Sequence, residues 1–427
     1  MESIPIVIGI GLVLAFLASK IFKKVGIPQV VGFMVAGILL RAFGLMDTGT
    51  AETLSVIVTL ALGLIGYNIG LELKANIFKG KIRRLMIIVI LEATVAFWLV
   101  SMLVYFVTQQ LYVALLLGSV ASATAPAATA DVVWEHECKG PVSESVMFVL
   151  ALDDVIAVIL TNAAIAYALF VLVPANNTII TVIASPLLVM GGSAFIGAVF
   201  GLVFVMFVKR EENKSVIVEL ELALIILLVG IVDFLGFSNI LAAVVFGFVV
   251  GNHVPENKQQ APQMLEVIMA PVVMLFFVVV GAKTDLSVFV NGIGGLVTLL
   301  AVLYIGGRTV GKVLGARAGA TITRSEPIVR KYLGTCLLSQ AGVALGLAII
   351  IETQFSVLGG EAALYGTIML SVITISTIVL EIMGPIAAKW SLTKAGEVGN
   401  GNGRSNGVCK TAEEENLVEE EKFIPND

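Results

Sequence analysis

Apolar runs long enough to cross a hydrocarbon core recur along almost the whole chain, and they dictate a polytopic helical membrane protein. A backbone in lipid must satisfy its own hydrogen bonds, and separate runs of about twenty residues do so as helices. Breaking the chain at charged and Pro/Gly/Asn-rich joints predicts thirteen spans: 4–21, 28–46, 53–73, 84–107, 111–134, 142–172, 179–208, 216–233, 238–252, 263–282, 287–316, 330–351 and 361–389. Only 13% of the 427 residues are charged, against about 25% in soluble domains. Residues 1–390 read as one transmembrane unit. Residues 391–427, rich in Gly, Asn, Lys and Glu, read as a hydrophilic, disordered cytoplasmic tail. The first run lacks a basic n-region and a small-residue cleavage site, so it reads as a retained span.

Positive charge sets the orientation. With the N-terminus outside, the outward joints carry only Arg41 and Lys283. All other Lys and Arg except Arg308 and Lys312 fall in the inward joints or the tail, from Lys20, Lys23 and Lys24 to Lys422. A miscounted span would scramble that asymmetry. The expected topology is N-terminus out and C-terminus in, in a cytoplasmic membrane. The net charge of −5, much of it from tail glutamates, argues against a nucleic-acid partner. Three scattered cysteines imply no disulfide framework. His136 and His253 fall in expected loops, which argues against a metal centre.

Asp153 and Asp154 stand side by side in the otherwise apolar run 146–160. Each charge at bilayer depth costs roughly 3 kcal/mol on insertion scales. A cation, a buried base or a proton must offset it, so this is the expected ion or proton site. Arg308 and Lys312, four apart on one face of the eleventh span, are the basic residues buried along a span. Consecutive helical residues point about 100° apart, so one aspartate can meet a cation from the eleventh span while the other binds a substrate ion.

Two other spans are small, polar and interrupted midway. Residues 118–131 contain Pro126, and residues 334–346 contain Gly342 and Gly346. They lie in the fifth and twelfth spans, so they cross the membrane in opposite directions, as broken helices in inverted repeats do. Glu219 and Glu221 are expected to snorkel to the inner interface, and Glu72 and Asp233 to lie at span ends. Glu92 and Glu381 are deeper, without an assigned partner. Tyr67, Asn68, Thr161 and Asn162 are candidate cavity residues.

Thr124-Ala125-Pro126-Ala127-Ala128-Thr129, followed by Leu152-Asp153-Asp154-Val155-Ile156, resembles the monovalent cation:proton antiporters, and more narrowly their two-aspartate sodium/proton exchanger branch. Gly311-Lys312-Val313-Leu314-Gly315 is similar to their basic helix, and Gln340-Ala341-Gly342 to their second broken helix. The resemblance spans about residues 5–390. It implies a homodimer, with a core domain (about 84–172 and 287–389) of crossed broken helices beside a dimerisation domain. It also implies Asp154 as cation and proton carrier and Asp153 as partner of Lys312. Thr124, Thr129, Asp131 and Gln340 are the expected contributors at the crossing. Related exchangers often carry an acid where Ala125 stands and an arginine near Gln340, so compensation of the helix-end dipoles is expected to differ here, through Asp131.

The expected activity is exchange of sodium or lithium for protons by alternating access, with no resident cofactor and no enzymatic step. Two carboxylates so close titrate as a pair, which lets protons compete with a cation. If the Asp153–Lys312 pair also exchanges protons, the cycle is electrogenic. The alternatives are a potassium/proton antiporter of the same fold and a sodium-coupled organic-anion symporter. No nucleophile–base pair or HExxH motif supports an intramembrane enzyme, and no repeated filter motif supports a channel.

Overall fold

The computed structural model describes residues 4–24, 27–46, 48–73, 82–173, 179–254, 260–284 and 294–399. The acidic tail, Cys409 and several of the inward lysines lie outside them. Among the described residues the chain is all-helical. The helices are α1 (Ile4–Lys24), α2 (Gln29–Ala42), α3 (Thr48–Thr53), α4 (Ser55–Glu72), α5 (Ile82–Thr108), α6 (Leu111–Ala121), α7 (Pro126–Glu135), α8 (Pro141–Leu172), α9 (Ile179–Val208), α10 (Lys214–Phe234), α11 (Asn239–His253), α12 (Gln260–Lys283), α13 (Gly294–Ile322), α14 (Pro327–Tyr332), α15 (Gly342–Leu358) and α16 (Gly360–Ala395). Among the described residues eight spans have the length and apolarity to cross a membrane, and five shorter apolar helices accompany them. His253 ends α11 rather than lying in a loop, with Nδ1 2.9 Å from the Val249 carbonyl.

Two expected spans are broken. The fifth is α6 and α7, separated by residues 122–125, with Pro126 as the first residue of α7. Proline suits that position because its missing N–H is one the helix start leaves unpaired anyway. The twelfth is α14, a 3-10 turn at Gly334–Cys336, an extended stretch and then α15. Gly342 opens α15, whereas Gly346 lies inside it and makes no interruption. A side chain at Gly346 would meet Leu62 at 2.2 Å, so that glycine serves packing against α4.

The helices fall into two packed groups. In one, α1 and α2 pack with α12, and α4 and α9 pack on α11, with α10 against them. In the other, α5 packs on α13 and α6, α6 on α8, and α16 on α15 and α7. The α5–α13 contact is made by a ladder of glycines, three of which meet the α5 backbone and one, Gly307, its side chains. A Cβ at Gly307 would lie 2.8 Å from Leu103, one at Gly311 2.6 Å from Cα of Ala96, one at Gly315 2.6 Å from Cα of Glu92, and one at Gly319 2.7 Å from Cα of Ile88. Small residues at such a contact let helices gain dispersion energy where lipid offers no hydrophobic drive. The ladder seats Glu92 beside Lys312.

The last helix runs past Trp390 to Ala395, and the chain then turns back at Gly396 (φ +71). Glu397 is buried, and its carboxylate accepts the amides of Val142 (2.7 Å) and Ser143 (2.7 Å) at the start of α8. Backbone bonds Lys139 N to Glu397 O (3.0 Å) and Gly399 N to His136 O (3.0 Å) close a short clasp. Gly140 (φ +159) belongs to it, since a Cβ there would lie 2.4 Å from the Glu397 carboxyl carbon.

Candidate functional site

The breaks meet in the middle of the second group. Ala125 N donates to the Ser339 carbonyl (3.1 Å), Ser339 Oγ donates to the Ala125 carbonyl (2.9 Å), and Thr129 Oγ1 donates to the Cys336 carbonyl (3.1 Å) and lies 3.0 Å from Ser339 Oγ. Unwound backbone at this depth must find such partners or leave buried amides and carbonyls unpaired. Thr129 therefore lies at the crossing with its hydroxyl committed to joining the two breaks.

Arg308 supplies the donors that the crossing still needs. Its Nη1 donates to the Leu338 carbonyl (2.7 Å), and Nη2 donates to the carbonyls of Ala123 (2.6 Å) and Ser339 (3.0 Å). The planar guanidinium presents several N–H groups in a fixed fork, so one side chain holds both unwound segments. At the same crossing the buried Glu381 lies near Arg308 and the Gln340 amide. Gln340 Nε2 donates to the Val120 carbonyl (3.1 Å) and the Tyr304 hydroxyl (2.8 Å). Among the described residues the charged side chain bonded to both unwound segments, and so placed to compensate their dipoles, is Arg308. Asp131, expected in that role, is exposed on α7, where Glu135 and Lys23 are its charged neighbours.

Lys312, one turn along from Arg308, meets the aspartates. Its Nζ is 2.5 Å from Asp153 Oδ2, donates to Glu92 Oε1 (3.2 Å) with Oε2 at an ion-pair distance of 2.9 Å, and also donates to the Ser122 carbonyl. An ammonium has three N–H donors, and these three groups take them. All three charged side chains are fully buried. Asp153 Oδ2 also accepts the Thr124 hydroxyl. Asp153 Oδ1 and both oxygens of Asp154 have no hydrogen-bond partner among the described residues, though Asp154 is only 1% exposed. Asp153 faces the lysine, and Asp154 has no cation within bonding reach among the described residues.

The remaining candidates lie apart from this centre. Thr161 Oγ1 donates to Ser119 Oγ (3.1 Å), and Asn162 Nδ2 donates to the Val158 carbonyl (2.8 Å). The Tyr67 hydroxyl donates to Glu221 in the other helix group. Glu221 is fully buried there and does not snorkel, whereas Glu219 is exposed. Asp233 is exposed at the end of α10, where it accepts from Asn239 (3.3 Å), and the side chain of Glu72 lies outside the described residues. Among the described residues no three His, Cys, Asp or Glu side chains are grouped to hold a metal ion.

Sequence reasoning left Glu92 without a partner, yet depth would have supplied one. Glu92 lies ten residues from the start of α5, Lys312 ten from the end of the antiparallel α13, and Asp153 twelve from the start of α8. At 1.5 Å per residue all three sit about 15–18 Å from one end of the bundle.

A sodium/hydrogen exchanger transmembrane family model matches residues 11–392, nearly all of the helical part. The chain belongs to the sodium/hydrogen exchanger family. This exchanger is also similar in fold to the sodium proton antiporter MjNhaP1 from Methanocaldococcus jannaschii. The structure of that protein at pH 8 matches with a TM-score of 0.75 at 18% identity, covering 91% of this chain and 97% of that one. Its electron-microscopy structure matches with a TM-score of 0.69 at 17% identity, covering 95% and 100%. No curated protein sequence gives a significant match. The family and the apolar helices make the exchanger a multi-pass membrane transporter of monovalent cations and protons, and not an enzyme.

Proposed function

We propose that this exchanger carries sodium or lithium against protons at Asp154, with Asp153 as the second carboxylate of the site. The observation that carries the reading is the pair of Asp154 oxygens, buried and without a donor among the described residues. A buried ionised carboxylate without partners is too costly to persist, so it takes a cation or a proton. Charge balance points the same way. Four buried carboxylates (Glu92, Asp153, Asp154 and Glu381) face two buried cations, Arg308 and Lys312. Neutrality calls for two further positive charges, which one sodium ion and one proton, or two protons, can supply. A sodium ion favours oxygen ligands, and Asp153 Oδ1, the Asp154 carboxylate and water fit that preference.

In this reading the group formed by α5–α8 and α13–α16 is the moving core, and the other group forms the interface of a homodimer in the cytoplasmic membrane, N-terminus outside. Exchange is electrogenic if Asp153 lets go of Lys312 and takes a proton during the cycle. Proton flux in proteoliposomes with a trapped pH dye, under sodium, lithium and potassium pulses, tests the proposal. Sodium- or lithium-driven flux that Asp154→Asn abolishes is the expected result. Full flux in that variant overturns the carrier assignment, and potassium-selective flux overturns the choice of cargo.

A further inference from the structure

We infer that Glu92 is a positioning residue for exchange, a second counter-ion that keeps Lys312 compensated when Asp153 turns to the cargo. The inference rests on the reading of Asp153 and Asp154 as the cargo site. Lys312 divides its three donors among Ser122, Asp153 and Glu92. Two of those groups are carboxylates, so Asp153 shares the lysine and never holds it alone. The shared partners also belong to different elements. Glu92 and Lys312 lie on α5 and α13, locked together by the glycine ladder, with Gly315 packed against Cα of Glu92. Asp153 comes from α8.

A cargo ion that draws Asp153 Oδ2 away would leave a buried ammonium with one neutral carbonyl if Glu92 were absent. With one charged partner removed, a buried ion is left uncompensated, a strongly unfavourable state. With Glu92 in place the ammonium keeps a carboxylate at 2.9 Å. Asp153 can then leave Lys312 and return without stranding a charge in the membrane. An ion pair that only held helices together would need one carboxylate. The second makes the first exchangeable.

The consequence is read in sodium affinity. In Glu92→Gln the lysine falls to Asp153 alone, and sodium must compete with a tighter pair. The sodium KM is expected to rise about tenfold, which corresponds to about 1.4 kcal/mol, and Vmax is expected to fall by less than KM rises. Glu92→Asp, which restores the charge on a shorter stem, should hold the rise in KM to about two- to threefold. Sodium-dependent thermal stabilisation of the purified protein should shift to higher sodium in the same order. A parental sodium KM in Glu92→Gln, or Glu92→Asp behaving like Glu92→Gln, would overturn the inference. If Glu92→Gln does not fold, a parental KM in a folded Glu92→Asp also overturns it, and a KM raised two- to threefold supports it. Full exchange in Asp154→Asn would instead remove the cargo-site reading beneath it. An inactive Asp154→Asn beside an unshifted Glu92→Gln removes the Glu92 inference alone.

Discussion

Adding one methyl group at Gly315 should uncouple Glu92 from Lys312 without touching either side chain. The added Cβ would lie 2.6 Å from Cα of Glu92 and 2.7 Å from the Leu91 carbonyl oxygen. Both are backbone atoms, so no rotamer change relieves the clash, and α5 must move outward. Reaching an ordinary contact of about 3.5–4.0 Å means a shift of roughly 1 Å. The 2.9 Å ion-pair distance would then stretch beyond hydrogen-bonding range. Overpacking costs about 1–3 kcal/mol, and alanine returns up to about 1 kcal/mol of helix propensity. Gly306→Ala on the same helix is the control. Gly306 is exposed, with nothing within 4 Å of an added Cβ, so that variant gains propensity alone. The two variants should therefore differ by about 1–3 kcal/mol, or roughly 1–3 °C in the unfolding midpoint in detergent for a chain of this size. The sodium KM should rise in Gly315→Ala and stay put in Gly306→Ala. Equal midpoints and equal KM values in the two variants would refute the claim that ladder packing sets the ion pair.

Two further outcomes follow from the clasp and the crossing. Arg308→Ala removes the donors of the Ala123, Leu338 and Ser339 carbonyls. It should cost about 3–5 kcal/mol, seen as a lowered unfolding midpoint that Arg308→Lys recovers only in part, and a parental midpoint would contradict it. Glu397→Ala leaves the Val142 and Ser143 amides without their acceptors. At about 0.5–2 kcal/mol for a lost cap, hydrogen exchange in the first turn of α8 should speed up several-fold, while unchanged exchange would show that the clasp does not hold that end.

Depth was legible in the sequence, and partnership was not. The spacing of apolar runs and joints gives the ends of α5, α8 and α9 to within a few residues. The paired aspartates and the period-four bases identify the helices that form the centre. What a sequence does not carry is azimuth, the direction each helix turns its side chains once neighbours are in place. Arg308 and Lys312 share a face, yet one holds backbone carbonyls alone and the other holds two carboxylates beside the Ser122 carbonyl. Glu221 looked close enough to the interface to reach water, but packing among α4, α9, α10 and α11 buries it, with Tyr67 as its hydrogen-bond partner among the described residues. Asp131 lies in the right segment for the crossing and points out of it. Each difference arises where tertiary contacts override what a single helix would do by itself.

The period of four that spaces Gly307, Gly311, Gly315 and Gly319 also spaces the two cations, each of which directly follows a glycine of the ladder. Packing face and charge placement are thus written in one register. An inserted or deleted residue between them would rotate everything beyond it by about 100°, turning glycines toward lipid and swinging an ammonium out of reach of its carboxylates. Point substitutions in this helix can be graded and partly repaired, but a change in length cannot. Among descendants of such a gene, α13 should vary in letters on its outer face and keep its count of residues from 307 to 319 fixed.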